Sequence, residues 1–218
     1  EVVPAMQVLD AVQQGTVEGG HTALSAFYGK DPAWAFGMAM PFGMNARQYH
    51  AWWYHLGGEK VFNEFANRAG GFTAFLCGNT GAQMGGWFRK EIRTVEDLKG
   101  LKFRVGGLAG LVMARLGVVP QQIPGGDIYP ALEKGTIDAT DWVGPYDDEK
   151  LGFFKVARYY YTPSMWKGSP ASQMVINNKA LAALPQEYRE IFETACHEGN
   201  TYMLSKYDAG NAAALKRM

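Results

Sequence analysis

One short pattern occurs twice in the chain and constrains its fold more than any single motif. Val12-Gln13-Gln14-Gly15-Thr16-Val17-Glu18 and Leu132-Glu133-Lys134-Gly135-Thr136-Ile137-Asp138 both read as a helix end, a Gly-Thr turn and the start of a strand. Glycine just past a helical run fits the left-handed position that stops a helix. The copies lie too far apart for a solenoid repeat. They fit two similar α/β lobes, each built from helix–strand units, with chance recurrence as the alternative. Two lobes face a cleft, and clefts between domains are favoured ligand sites.

Composition sets outer limits. The chain has 218 residues, 47% of them hydrophobic, enough for one large domain or two small ones. Its formal net charge is zero, which argues against nucleic acid or an anionic membrane as the main partner. No apolar run reaches the length that spans a bilayer. There is no signal peptide, so the expectation is a cytoplasmic, processed or partial chain. Cys77 and Cys196 are far apart in sequence and form no CxxC pair, which argues against a metal cluster or redox motif. The four histidines form no HExxH or other tight ligand pattern.

Periodicity and punctuation predict helices at Met6 to Gln14, Ala46 to Leu56 behind an Asn45 cap, Glu59 to Ala69, Val95 to Lys99, Ala109 to Leu116, Asp127 to Lys134 and Asp147 to Val156. A short helix to Ala183 follows. Pro185 then opens a long amphipathic helix to about Ala209, with Tyr188, Ile191, Phe192 and Ala195 on its apolar stripe. Strands are expected from Thr16 to Tyr28 with an interruption, and at Leu101 to Val105, Val118 to Ile123, Gly135 to Trp142, Tyr159 to Thr162 and Met174 to Asn177. Phe72 to Cys77 is almost continuously apolar, the pattern of a parallel strand buried on both faces.

The stretch Asp97 to Gly107 gives the first chemical signal. Leu101, Phe103 and Val105 share one face of a strand that ends at a glycine pair, with Lys102 and Arg104 on the other. Ligands of open α/β sheets bind at the carboxyl ends of strands. A guanidinium there can grip a carboxylate through two parallel hydrogen bonds; a surface arginine on an edge strand is the open alternative. Asn79, Gln83, Asp141 and Trp142 also fall at expected strand ends. Together they have the composition of a small-anion cleft rather than of a catalytic site, which needs an acid–base pair with separated pKa values. Gly106-Gly107 and Gly110 lack full GxGxxG spacing, and no acidic ribose partner follows. No serine sits in GxSxG. Asp147-Asp148-Glu149 suits a helix start better than a metal.

The chain resembles the solute-binding proteins of TRAP transporters, the DctP type. The residues that carry this are Asp97 to Val105, the Gly135-Thr136-Ile137-Asp138 turn, and Asn177 followed by the Leu184-Pro185 helix start. A closer resemblance, to the branch that binds α-keto acids and lactate, is carried by Gly78-Asn79-Thr80-Gly81, Gln83 to Glu91, Gly125 to Pro130 and Trp142 to Asp148. It covers essentially the whole chain. It implies an α/β, two-lobed periplasmic binding protein fold of type II-like form, closing like a hinged trap around a cleft. Lobe I would comprise residues 1–72 and 167–205 and lobe II residues 73–166, with the rest of lobe II in a C-terminal part beyond this chain. The implied activity is capture of a small 2-oxo or 2-hydroxy monocarboxylate in the periplasm for membrane subunits of a transporter, without catalysis and without nucleic acid.

The resemblance also assigns positions. Arg104 would pair with the substrate carboxylate, and Asn79, Gln83, Trp142, Tyr146 and Lys167 would line the pocket. Gln83, Asp141 and Trp142 would hold a bridging cation, Na⁺ or Ca²⁺, with no other cofactor. The branch carries a glutamate, in the manner of a cation ligand, where Lys167 stands. An ammonium has three donors and no acceptor, so it cannot ligate a cation. The expectation is that Lys167 replaces the cation, with a solvent-facing lysine as the alternative. Members begin before Glu1 and continue past Met218, with helices that complete lobe II and dimerise, so the chain is expected to be a fragment.

Overall fold

The computed structural model describes residues 2–218. In chain order the elements are α1 (Val8–Gln14), β1 (Gly19–Thr22), α2 (Ala46–His55), α3 (Gly58–Gly70), β2 (Phe72–Asn79), β3 (Gly86–Phe88), β4 (Lys102–Arg104) and α4 (Gly107–Arg115). There follow β5 (Val119–Gln121), α5 (Ile128–Lys134), β6 (Ala139–Thr140), α6 (Pro145–Leu151), β7 (Tyr159–Tyr161), β8 (Ala171–Asn177), α7 (Asn178–Ala183) and α8 (Gln186–Arg217). Two sheets result: a three-stranded β1-β8-β2 and a five-stranded β5-β4-β6-β3-β7.

The repeated sequence pattern is repeated in three dimensions. Gly15 and Gly135 close α1 and α5 with φ of 71° and 72°. Thr16 N–H donates to Ala11 O at 2.9 Å, and Thr136 N–H donates to Ala131 O at 3.0 Å. The left-handed glycine lets the chain turn back beneath its helix and enter a strand of its own sheet. The first copy feeds β1 at the edge of the small sheet and the second feeds β6 in the middle of the large one.

Each sheet has its own core. Leu9, Val12, Leu24, Trp34, Trp53 and Phe62 pack with Phe72, Ala74 and Leu76 of β2. The large sheet is buried on both faces. Leu101, Phe103, Val105, Phe88 and Trp166 fill one side, and Trp87, Ile128, Leu132 and Phe153 fill the other. Trp87 and Phe88 are neighbours in sequence and point into opposite cores, as alternation along a strand requires.

Several expectations are corrected. Strand β2 is antiparallel to β8, not parallel to a neighbour. Its run is apolar because α8 covers its second face, where Phe75 meets Phe192 at 5.2 Å between ring centroids. Hydrogen bonding of β2 in the small sheet also runs past the expected lobe boundary at residue 72. Leu24–Phe27 forms a 3₁₀ turn rather than a strand, so Leu24 and Phe27, three residues apart, both reach the core. Helix α6 stops at Gly152 (φ 70°), short of Val156. Helix α8 continues to Arg217, and Tyr188 and Ile191 are 59% and 63% exposed; its buried face is Cys196, Asn200 and Ala214. Gly210 lies inside that helix because a Cβ there would come within 2.5 Å of the Tyr146 ring. Cys77 and Cys196, distant in sequence, meet where α8 crosses β2. Their mutual hydrogen bond lowers the Cys77 pKa and raises that of Cys196.

The acidic run at α6 is structural, with a separate task for each residue. Asp147 pairs with Lys150 and accepts from the Tyr207 hydroxyl, and Glu149 forms a two-pronged pair with Arg217 at 2.6 and 2.7 Å. Asp148 is buried and accepts from Trp87 Nε1 at 2.9 Å, Tyr160 OH at 2.8 Å and Val143 N–H at 3.2 Å.

Two stability outcomes follow from this geometry. Gly15→Ala has open space around its new Cβ, with only Asn177 Nδ2 nearby at 3.8 Å. The cost is therefore that of the left-handed backbone, about 1–2 kcal/mol in denaturant unfolding. Burial pushes the Asp148 carboxyl up to about 6 from 3.8, against three donors that favour the carboxylate. Across that window the folded protein keeps a proton that the unfolded chain has released. The contribution of Asp148 is present below pH 4 and is lost as pH rises through 6, a change on the order of 3 kcal/mol. Unfolding of the wild type and of Asp148→Asn at a series of pH values isolates this slope, which the variant should lack.

Candidate ligand-binding cleft

In the large sheet β4 is parallel to both β5 and β6. The chain leaves β4 through α4 for β5 on one side, then crosses back through α5 to β6 on the other. The strand order therefore reverses between β4 and β6, and a crevice opens at their carboxyl ends. Arg104 is the last residue of β4 and pairs in register with Thr140; Asp141 follows directly. Asp141 N–H donates to Arg104 O at 3.1 Å, which fixes the two residues side by side.

The side chains converge on the Asp141 carboxylate, which is 1% exposed. Arg104 Nη1 lies 3.3 Å from Oδ1, Lys167 Nζ 2.8 Å from Oδ2, and Trp166 Nε1 donates to Oδ2 at 3.2 Å. Arg104 is further held by Nε donating to Ile123 O and Nη1 donating to Asp141 O, both at 3.2 Å. Its guanidinium lies 5.2 Å from the Trp142 ring centroid, within cation–π range. Nη2 has no acceptor among the described residues.

These groups border a cavity of about 390 Å³ between the two sheets. The small sheet supplies His21 and Ser172, the large sheet Arg104 and Trp142, and α8 Met203 and Tyr207. Thr80, Gln83 and Lys167 reach it from the segments that pass between the sheets. Among the described residues of the lining, Arg104 and Lys167 are cationic and none is a carboxylate. With Asp141 behind them the three groups sum to one positive charge, the complement of a monoanion. His21 adds none at neutral pH, because burial lowers its pKa.

Of the residues singled out in the sequence, Arg104, Gln83, Trp142 and Lys167 border this cavity, and Asp141 lies directly behind it. Lys167 faces inward with its side chain 14% exposed. Asn79 and Tyr146 stand elsewhere. Asn79 is fully buried; its amide donates to Ser169 Oγ at 3.0 Å and its oxygen accepts from Gly81 N–H at 2.8 Å, so it shapes the loop that carries Thr80 and Gln83. Tyr146 packs on Tyr207 of α8, under the Lys150 ammonium. Trp166 and the Ile123 carbonyl were missed. So were Met203 and Tyr207, although their spacing of four on a helix puts them on one face.

The family described as bacterial extracellular solute-binding protein, family 7, matches the chain over residues 1–218. The chain belongs to this family. A monocarboxylate 2-oxoacid-binding periplasmic protein of Nostoc sp. is 54% identical over 222 residues, covering 100% of this chain and 60% of that protein. A TRAP transporter solute-binding protein from Bordetella bronchiseptica superposes with a TM-score of 0.97 at 52% identity, covering 100% of this chain and 64% of that one. It is a mixed-occupancy dimer with copurified calcium and picolinate in one active site and the other apo. A third, from Pseudoalteromonas atlantica, has a TM-score of 0.92 at 43% identity, covers 97% and 64%, and holds sodium and pyruvate. The chain thus spans less than two thirds of the length of these family members.

The charges already at this cleft oppose a cation of that kind, because Asp141 is paired with Arg104 and Lys167. Calcium takes six to eight oxygen ligands, and among the described residues no three His, Cys, Asp or Glu side chains stand close enough to hold a metal. The one carboxylate at the cleft is already paired with two cationic side chains. Gln83 Oε1 is buried without a hydrogen-bond donor, an acceptor left open at the cleft.

The Asp141 cluster should be a stability element. Asp141→Ala leaves Arg104 and Lys167 as partly buried like charges, and loss of one partner from such a group costs about 3–5 kcal/mol. Denaturant unfolding of the ligand-free protein measures it, and Asp141→Asn, which keeps the acceptor oxygen, should lose less.

Proposed function

We propose that this chain is part of the periplasmic solute-binding component of a TRAP transporter and captures a small 2-oxo or 2-hydroxy monocarboxylate for the membrane subunits. The observation that carries the reading is the cleft's balance of charge. Arg104 and Lys167 face it, one carboxylate neutralises one of them, and a monoanion completes the set. Arg104 anchors the carboxylate with the unpartnered part of its fork. Lys167 and Gln83 sit beside the neighbouring oxygen, and Trp142 forms a wall. Met38, Ile123 and Met203 add apolar surface for the rest of the ligand, so acids longer than pyruvate belong in the test. Lobe I takes residues 1–72 and 167–205 with the remainder of β2, and lobe II takes the segment up to 166.

An enzyme of small oxo acids in the same cleft is the weaker reading. Ser172 Oγ and His21 Nε2 lie 3.0 Å apart, but among the described residues no carboxylate orients the imidazole, and the hydrogen bond that His21 makes to the Cys77 backbone takes that place.

Calorimetric titration of the full-length protein with pyruvate, lactate and 2-oxopentanoate should show binding, with none for neutral sugars or amines; the reverse pattern would remove this reading. Arg104→Ala should weaken carboxylate binding by about 2–5 kcal/mol, because a charge-assisted contact in a closed cleft is lost. Arg104→Lys should recover only part, since an ammonium cannot reproduce the fork.

A further inference from the structure

We infer that Lys167 is a built-in counter-cation: its ammonium occupies the electrostatic role that calcium or sodium has in the related structures, so that ligand binding here does not depend on an added metal ion. This deepens the proposed function and rests on it. The starting observation is the Lys167 Nζ–Asp141 Oδ2 contact of 2.8 Å at the edge of the cleft. Lysine is ordinarily exposed, yet this side chain is folded inward onto a fully buried carboxylate.

The backbone dictates that direction. Lys167 N–H donates to Ser164 O at 3.2 Å, and its carbonyl accepts from Gln83 N–H at 3.3 Å. The residue is thereby tied to the segment that carries Gln83, and Trp166 is anchored on the same Asp141 oxygen. An ammonium has three donors. Its ion pair with Asp141 leaves donors free for the oxygens of a ligand.

Ligand chemistry agrees with the exchange. Picolinate and pyruvate, found in the related structures with calcium and sodium, share a carboxylate with an adjacent acceptor, a pyridine nitrogen or a keto oxygen. Such a pair can chelate a metal ion, and it can equally accept hydrogen bonds from an ammonium and a guanidinium side by side. A divalent ion added to this cleft would sit against Lys167 and Arg104, repelled by both, and would have to strip Asp141 from them to find an anionic ligand.

The test measures the affinity of the full-length protein for pyruvate and 2-oxopentanoate by calorimetry. One buffer is sodium-free and exhaustively chelated; the other contains added calcium and sodium. The expected result for the wild type is affinity that differs by less than about twofold between the buffers. Lys167→Met, which keeps the bulk and removes the charge, should weaken binding by about tenfold or more in both, as for loss of a desolvated charge contact. Lys167→Glu should bind weakly after chelation and recover with calcium, because a carboxylate restores an oxygen ligand. Wild-type affinity that collapses on chelation and returns with calcium would overturn the inference while leaving the proposed function in place. So would unchanged affinity in Lys167→Met. A wild type that binds no carboxylate in either buffer would instead overturn the proposed function, and this inference with it.

Discussion

A single buried carboxylate organises the cleft. Asp141 is 1% exposed, and a buried carboxylate costs free energy unless it is paired. It has two charged partners from different parts of the chain: Arg104 from the neighbouring strand β4, and Lys167 from the segment that returns toward β8. Each cation is placed by the anion, and the anion is tolerated because of the cations. Their excess of one positive charge is what the cleft offers a ligand.

Helix α8 supplies the other constraint. It lies along β2 at Phe192 and Cys196 and reaches α6 through Tyr207, Asn211 and Arg217. One helix therefore runs from the small sheet to α6, and Met203 and Tyr207 enter the cavity from its middle. Gly210 lets the helix approach Tyr146, and Glu149 grips its far end. The acidic run that reads as a helix start in the sequence is thus a set of three attachments, to α8 through Asp147 and Glu149 and to the sheet through Asp148.

Much of this was legible from residue patterns, and the failures have physical causes. The Gly15 and Gly135 turns were readable because only glycine takes their left-handed backbone at no cost. Arg104 was readable because alternation placed it at a strand end before a glycine pair. Strand β2 was misjudged because periodicity reports how many faces are buried, not what buries them; a helix on the second face gives the same apolar run as a parallel sheet. The stripe on α8 was rotated toward Tyr188 and Ile191 because its buried residues are Cys196, Asn200 and Ala214, small or polar side chains that carry little hydrophobic signal. Asn79 has the right chemistry for a ligand contact, but its hydrogen bonds are all within the protein, a fact that depends on Ser169 and Gly81 being folded around it.

Lys167 gives the site a fixed charge. A bound metal ion organises ligand oxygens by filling its own coordination sphere, and it can leave. A lysine carries one fixed charge and three directional donors, and its backbone is pinned to Gln83 and Ser164. Its desolvation is offset by Asp141, whose remaining acceptor positions are taken by Trp166 and Arg104. A metal ion beside Asp141 would compete with these contacts, whereas a monoanion adds to them. The cleft is therefore set to receive negative charge and to refuse positive charge, and this preference comes from its own side chains.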